Sequence, residues 1–434
     1  MGSPVRVGVI GAGIFGSMVL SQLQEVKGMH LVGVADRDPE RAHAALRRTG
    51  WPEPRTQALS LEEAHAKGTT AVVEDALTLA TSDHIDVLVE ATGSPTAAVE
   101  HALAAIEAGR HVVNVTVEAD ALVGPIVAQR AKAAGVVYAL AYGDQPALIC
   151  ELVDWARLSG FRVVSAGKGT KYLPAYHAST PDTVWDHWGI DQQHAKTHGL
   201  NATMFNSFLD GTKSAIEMAA VADATGLVPQ DDGLQFPPAG EQDLASVCIP
   251  ETDGGVLSQS GTVEVVSSLH RDGREVERDL RWGVYVVFEA PSDYVAERFG
   301  EYGLTTDPSG RFASLWRPYH LIGLELVPSI ARAALLGQAT GTPSSFLADV
   351  VAVAKRDLKA GEKLDGEGGY SVWGALRPAQ ASVEGRKLPI GLAHDVVLSR
   401  DVAIGETLTR DDVVLDHSAQ VIALREELEA PLRR

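Results

Sequence analysis

Cysteine is almost missing from this chain: Cys150 and Cys248 are the only two among 434 residues. That excludes a disulfide-stapled scaffold and a cysteine zinc site, and it suits a reducing cytoplasm. There is no apolar run long enough to span a bilayer, and no basic-then-apolar leader precedes the first apolar run. A cytoplasmic location and no membrane partner are therefore expected. Positive charge is in deficit, with 37 Lys and Arg against 57 Asp and Glu and a formal net charge of −20. This argues against nucleic acid or an anionic membrane as a partner, and an anionic substrate would need its own local cluster of lysine and arginine. Several catalytic signatures are also missing. There is no G-x-S-x-G and no nucleophilic-cysteine motif, and His177, His187, His194 and His198 do not follow H-E-x-x-H or finger spacing. No metal ligands are assigned, although a divalent ion on carboxylates such as Asp144, Asp210 and Glu217 stays open.

What is present is a soluble globular composition, 45% hydrophobic and 22% charged, in a chain long enough for two or three domains. Its most informative stretch is Val5-Arg-Val-Gly-Val-Ile-Gly-Ala-Gly-Ile-Phe-Gly16, followed by Val32-Gly-Val-Ala-Asp36. A β-branched run, Gly11, Gly13 and Gly16 in G-x-G-x-x-G spacing, an amphipathic helix from about Ile14 and Phe15, a second apolar run and then an acid form a dinucleotide fingerprint in its proper order. Gly11 makes the tight turn, Gly13 lets backbone approach a pyrophosphate, and Gly16 lets the helix lie close on the strand. Asp36 would take the adenosine ribose hydroxyls. Arg37 either pairs with a 2′-phosphate or is a solvated loop charge, so NADP(H) is slightly favoured and NAD(H) remains open.

Further apolar runs at 31–35, 87–90, 111–115 and 136–140 alternate with helical patterns near 39–48, 95–108 and 121–134. This alternation predicts an α/β Rossmann domain with a doubly wound parallel sheet over 1–150. Ligands gather at the carboxyl ends of such strands, so Thr92, Gly93, Glu118, Asp144 and Gln145 are expected beside cofactor or substrate. Asp144 could equally cap the helix that follows it. Beyond 150 the alternation stops, and an α+β substrate domain is expected over 151–343, with strands at 162–166, 261–268 and 282–289. A long polar loop should run over 167–181, a helix over 320–336, and a linker over 337–343. Lys355-Arg-Asp-Leu-Lys-Ala-Gly-Glu-Lys-Leu364 then recurs as Ser399-Arg-Asp-Val-Ala-Ile-Gly-Glu-Thr-Leu408, pointing to a small β-rich domain with internal pseudo-symmetry.

Two segments could carry chemistry. Asp210, Lys213 and Glu217 recur along one face of what reads as a single apolar helix. They are either a structural ion network or a proton-transfer group around a substrate carbonyl, with Asn206 just ahead of them. Lys168 and Lys171 lie in Gly-Lys-Gly-Thr-Lys, read as a flexible loop whose glycines let backbone approach a phosphate or carboxylate.

Four segments carry a family resemblance: 141–155, 166–174, 179–185 and 206–217. With the repeat, they make the chain similar over nearly its whole length to homoserine-dehydrogenase-like oxidoreductases with a C-terminal SAF domain, placed here at 346–416. That group includes the 1-deoxy-D-xylulose 5-phosphate reductoisomerase-like enzymes. The resemblance implies NADPH-dependent conversion of a small phosphorylated ketose, or a related sugar acid or polyol, by rearrangement and hydride transfer. Catalysis would fall to Lys213, Asp210, Lys171 and Glu217. Substrate would be held by Lys168, Asp144, Gln145 and Asn206, and a homo-oligomeric assembly is expected. True homoserine dehydrogenases carry an Asn-Lys pair where this chain has Asn114-Val-Thr-Val-Glu118, which makes homoserine the second substrate reading. A non-catalytic dinucleotide sensor is the reading from another class.

Overall fold

The computed structural model describes residues 2–433. Its contacts divide the chain into two units, 1–151 with 320–344, and 152–319 with 345–434. In the first unit, six strands form a parallel sheet: β1 (Val5–Ile10), β2 (Met29–Ala35), β3 (Ala71–Val73), β4 (Val87–Glu90), β5 (His111–Asn114) and β6 (Tyr138–Leu140). Their order is β3-β2-β1-β4-β5-β6 with every pairing parallel. This is the doubly wound Rossmann arrangement, whose order reverses between β1 and β4, where the ligand crevice opens at the carboxyl ends. Val7, Val9, Val87, Val89 and Val113 are buried between the sheet and its helices. Those helices are α1 (Ile14–Glu25), α2 (Pro39–Arg48), α3 (Leu61–Lys67), α4 (Ala76–Ala80), α5 (Pro95–Glu107) and α6 (Val117–Ala133). Pro39 and Pro95 open their helices, where a missing N–H costs nothing.

Some expected boundaries move. Helix α6 starts at Val117, not at 121, so Glu118 lies in its first turn rather than on an extended strand tail. The expected helix over 320–336 is reduced to Val327–Ala331 and a π-helical turn, Arg332–Leu336. The expected linker is packed against the sheet. Gly341 O accepts from Leu140 N at 2.8 Å, Thr340 Oγ1 donates to Leu140 O at 2.7 Å, and Ser329 Oγ accepts from Tyr142 N at 2.8 Å. Glycine is required at 341, where φ is +113° and a Cβ would crowd Cys150 Sγ at 2.9 Å.

Helix α7 (Gln145–Leu158) leads into the second unit. There β7 (Arg162–Thr170), β8 (Thr262–Ser267), β9 (Val284–Glu289), β10 (Thr305–Thr306) and β11 (Phe312–Arg317) form a mixed sheet in the order β10-β11-β9-β7-β8. Strand β7 runs on through Thr170, so Gly167, Lys168 and Gly169 are inside a sheet and not in a loop. The glycines serve the sheet itself. A Cβ at Gly167 would overlap Glu264 O, and one at Gly169 would overlap Leu280 O. Four helices follow: α8 (Val184–Trp188), α9 (Gln192–Thr197), α10 (Ala202–Asp210) and α11 (Thr212–Thr225). The single helix expected across 206–221 is in fact two, broken at Gly211, whose φ of +92° no other residue adopts cheaply.

The repeat region contributes β12 (Ala348–Ala354) paired with β14 (Val372–Pro378), and β13 (Lys363–Asp365) paired with β15 (His394–Leu398), which also meets β16 (Val413–Val414). It packs into the second unit through α11. Asp223 Oδ1 accepts from Leu347 N at 2.7 Å and Ala348 N at 3.1 Å. The fold continues past 416 into the helix Gln420–Glu429, whose fully buried Arg425 reaches Asp349 at 2.5 Å and Glu429 at 2.6 Å. Among the described residues no helix is long and apolar enough to cross a membrane.

Candidate active site

In the first unit the fingerprint glycines are held by sterics. Gly11 sits at φ +97°, where a Cβ would run into the Ala91 carbonyl, and a Cβ on Gly16 would overlap Gly11 O. That second contact is what lets α1 lie close on β1. Gly13 is the N-cap of α1 and provides no side-chain cap, so the first N–H groups of the helix are left for a ligand. The space above Gly13 is open apart from Arg41, whose Nη2 would stand 3.2 Å from an added Cβ. Asp36 accepts from Ala12 N at 2.9 Å through Oδ2 and from Asp38 N at 3.0 Å through Oδ1, which ties the fingerprint loop to the end of β2. Ile14 is exposed and Phe15 leans on the core. The strand, open glycine and uncapped helix fit the pyrophosphate of a dinucleotide.

The turn holding Thr92 and Gly93 is organised from below by Glu90, the last residue of β4. Glu90 is fully buried and accepts from Thr92 Oγ1 at 2.6 Å and Thr116 Oγ1 at 2.5 Å, with His101 Nδ1 at 3.3 Å. Gly93 N donates to Thr116 Oγ1 at 3.1 Å. Arg41 escapes sequence reading, because a basic residue in the first turns of a helix reads as a surface charge until the helix is packed. At the neighbouring strand ends, Asn114 Nδ2 donates to Asp120 Oδ2 at 2.9 Å and Tyr138 OH donates to Asp120 Oδ1 at 2.7 Å. Burial pushes the Asp120 carboxyl up to about 8. Glu118 is half-buried beside this network. Asp144 and Gln145 are buried at the head of α7, where Asp144 Oδ1 accepts from Gln145 N at 2.8 Å.

In the second unit the charged residues fall into pairs other than those the sequence suggested. Lys168 is buried and its ammonium is bonded to the buried Glu217 carboxylate, so neither is the exposed anion ligand or proton relay expected of it. Asp210 is fully buried and pairs with Lys355 at 2.7 Å, a partner 145 positions away that helical spacing could not reveal. Asn206 is buried as well and spent on structure, with Nδ2 donating to Ser179 O at 3.1 Å and Gly368 O at 2.9 Å. Among the described residues no group of three or more His, Cys, Asp or Glu side chains is placed to hold a metal.

Lys213 is the accessible member of this set. Every residue from Thr212 to Asp223 is buried except Lys213, which is half-exposed in the first turn of α11. Gly211 gives that helix no side-chain cap, and the buried Ser214 Oγ beside Lys213 has no hydrogen-bond partner among the described residues. Lys171, the second loop lysine, does lie beyond β7. Its Nζ donates to His187 O at 2.5 Å and stands 5.6 Å from the Trp188 ring centre. Desolvation first, and then the nearby Arg281 guanidinium, lower its pKa. Arg281 itself donates to Ser268 Oγ at 3.1 Å. Two cations thus sit together among Tyr176, His187 and Trp188. Next to them His177 accepts from Tyr172 OH at 2.8 Å through Nε2, lies against Asp210 O at 2.7 Å through Nδ1 and stacks on Trp373 at 3.7 Å; desolvation lowers its pKa.

Two families match successive parts of the chain. Residues 7–140 match the family described as the NAD binding domain of homoserine dehydrogenase, and residues 143–326 match the one described as the catalytic domain of Oxidoreductase DRL. This chain has the domain composition of an NAD(P)-dependent oxidoreductase. The homoserine dehydrogenase of Pseudomonas aeruginosa is 32% identical over 136 residues, which is 31% of this chain and 28% of that protein. The oxidoreductase therefore spans little more than a quarter of the length of that curated relative. Among solved structures, a probable dehydrogenase from Thermotoga maritima covers 77% of this chain and 90% of its own at 13% identity and a TM-score of 0.38. The myo-inositol dehydrogenase of Lactobacillus casei covers 43% of this chain and 52% of its own at 19% identity and a TM-score of 0.28.

Proposed function

We propose that this oxidoreductase prefers NADP(H) and interconverts a carbonyl and a hydroxyl on a small anionic substrate, a phosphorylated ketose or a related sugar acid. The observation that carries the reading is Lys213, the one accessible position on an otherwise buried stretch of helix. When bound, the nicotinamide supplies or accepts the hydride. The Lys213 ammonium hydrogen-bonds the substrate carbonyl oxygen and delivers a proton to it as the carbonyl becomes a hydroxyl. Lys171 and Arg281 hold the anionic group, whose charge favours the protonated lysine that desolvation and, after it, Arg281 disfavour. Arg41, above Gly13, and Arg37, just past Asp36, supply cations for a 2′-phosphate.

The region at 346–416 is read as an SAF module that supports the second unit. Homoserine is the second substrate reading, favoured by the similarity to a homoserine dehydrogenase. The test is to saturate the protein with NADPH, follow its fluorescence, and add phosphorylated ketoses, sugar acids and aspartate semialdehyde in turn. Consumption with a phosphorylated ketose supports the proposal, and a rearranged carbon skeleton in the product marks a reductoisomerase. Turnover confined to the semialdehyde replaces the first reading with the second.

A further inference from the structure

The internal repeat is a structural pseudo-dimer, and one of its residues breaks the symmetry. Arg356 and Arg400 each donate to the carbonyl of the following aspartate, at 3.1 and 2.9 Å, and each pairs with the glutamate six residues on, Glu362 or Glu406. Those glutamates accept from Lys359 N and Ala403 N at 3.1 Å in both copies. Across the pseudo-twofold axis, Leu358 and Val402 exchange backbone hydrogen bonds at 2.8 and 3.0 Å. Asp401 accepts from Ala360 N and Asp357 from Ile404 N, both at 2.9 Å.

The position before each arginine departs from this symmetry. Ser399 is exposed, and its hydroxyl donates to Asp411 O at 3.0 Å. Lys355 is buried, with its side chain 2% exposed, and reaches out of the repeat. Its Nζ donates to Ser179 O and Gly369 O, each at 2.8 Å, and pairs with Asp210 Oδ2 at 2.7 Å. The second copy folds without a lysine here, so the fold of the repeat does not require one. A lone buried ammonium is costly, and this one is placed where its charge meets the buried carboxylate at the break between α10 and α11. Burial pushes the Asp210 carboxyl up and Lys355 opposes that push. Through Oδ1, Asp210 accepts from Thr212 N at 2.9 Å, the residue directly before Lys213.

We infer that Lys355 is a positioning residue: its ammonium holds the Asp210 carboxyl, and Asp210 in turn fixes the first turn of α11 and the placement of Lys213. The functional part rests on the role proposed above for Lys213, whereas the electrostatic part does not. The test compares Lys355→Met, Asp210→Asn and their double variant with the full-length protein. In the infrared difference spectrum between Lys355→Met and the parent at neutral pH, one protonated-carboxyl band should appear in addition to those the parent already has, Asp120 among them, and the double variant should lose it. Turnover should fall at least tenfold while the Kd for NADPH, read by fluorescence, stays within twofold, and the double variant should be no worse than Lys355→Met alone. Lys355→Arg, which keeps the charge, should show no such band and recover most of the turnover.

No added band in a folded Lys355→Met protein, additive losses in the double variant, or unchanged turnover would each overturn the inference. If Lys355→Met does not fold, Asp210→Asn carries the test, and normal turnover there is the overturning result. The band appearing while Lys213→Met keeps full turnover would refute the proposed role of Lys213, and with it the positioning role, while leaving the charge pairing intact.

Discussion

Lys168 on β7 and Glu217 on α11 form a buried ion pair that joins the middle of the mixed sheet to the helix above it. Removing one partner strands the other charge away from water, which typically costs about 3–5 kcal/mol, whereas replacing both with apolar groups is often neutral. Lys168→Met should therefore lower stability by roughly that amount, and Lys168→Met with Glu217→Met should regain most of it. Denaturant midpoints measure both. A folded Lys168→Met protein of normal stability that has lost substrate affinity would return Lys168 to the binding site.

Gly13→Val should abolish dinucleotide binding and leave the fold intact, because the side chain would fill the open space over the loop. Arg41→Ala, and to a smaller extent Arg37→Ala, should weaken NADPH tenfold or more and NADH by less than threefold, an estimate of about 1.4 kcal/mol for a lost charge-assisted bond. Fluorescence titration of both cofactors separates the outcomes. Equal losses for NADPH and NADH would make Arg41 a pyrophosphate ligand and remove the argument for NADP(H).

An interaction made equally in the ground and transition states raises KM alone, whereas one made only in the transition state lowers turnover. Lys171→Met and Arg281→Met should chiefly raise KM for the anionic substrate, and adding both should cost little more than either. Lys213→Met should lower kcat by about a hundredfold or more, the usual range for a positioned proton donor. Steady-state kinetics on folded variants decide, and a turnover loss confined to Lys171→Met would exchange the two roles.

Asp120 gives a pH dependence with a defined sign. Its folded carboxyl titrates at about 8, far above an unfolded aspartate, so the native state keeps a proton that the unfolded chain has released. The contribution is fully present below about pH 4 and is lost as pH rises toward 8, with a slope of at most about 1.4 kcal/mol per pH unit. Asp120→Asn imitates the neutral acid, with its oxygen accepting from Asn114 and its amide donating to Tyr138. The variant should flatten thermal stability against pH between 4 and 8 and be more stable than the parent at pH 9. Parallel curves would show that the carboxyl is ionised throughout that range.

The sequence by itself determined the cofactor half. The fingerprint glycines, the acid at Asp36 and the strand–helix alternation are local signals, set by backbone sterics and by burial on both faces of a parallel sheet, and they survive without any knowledge of distant residues. The repeat was legible for the same reason, since self-similarity needs no structure to detect. Tertiary structure decided the charges. Helical spacing suggested that Asp210, Lys213 and Glu217 answer one another, but Gly211 breaks the helix and the first and last find ammonium partners on Lys355 and Lys168. In the same way Gly167 and Gly169 read as a ligand loop until crowding from Glu264 and Leu280 shows that the sheet itself needs them. A buried charge must be paired, and the partner that neutralises it is chosen by proximity in space, which spacing along the chain does not encode.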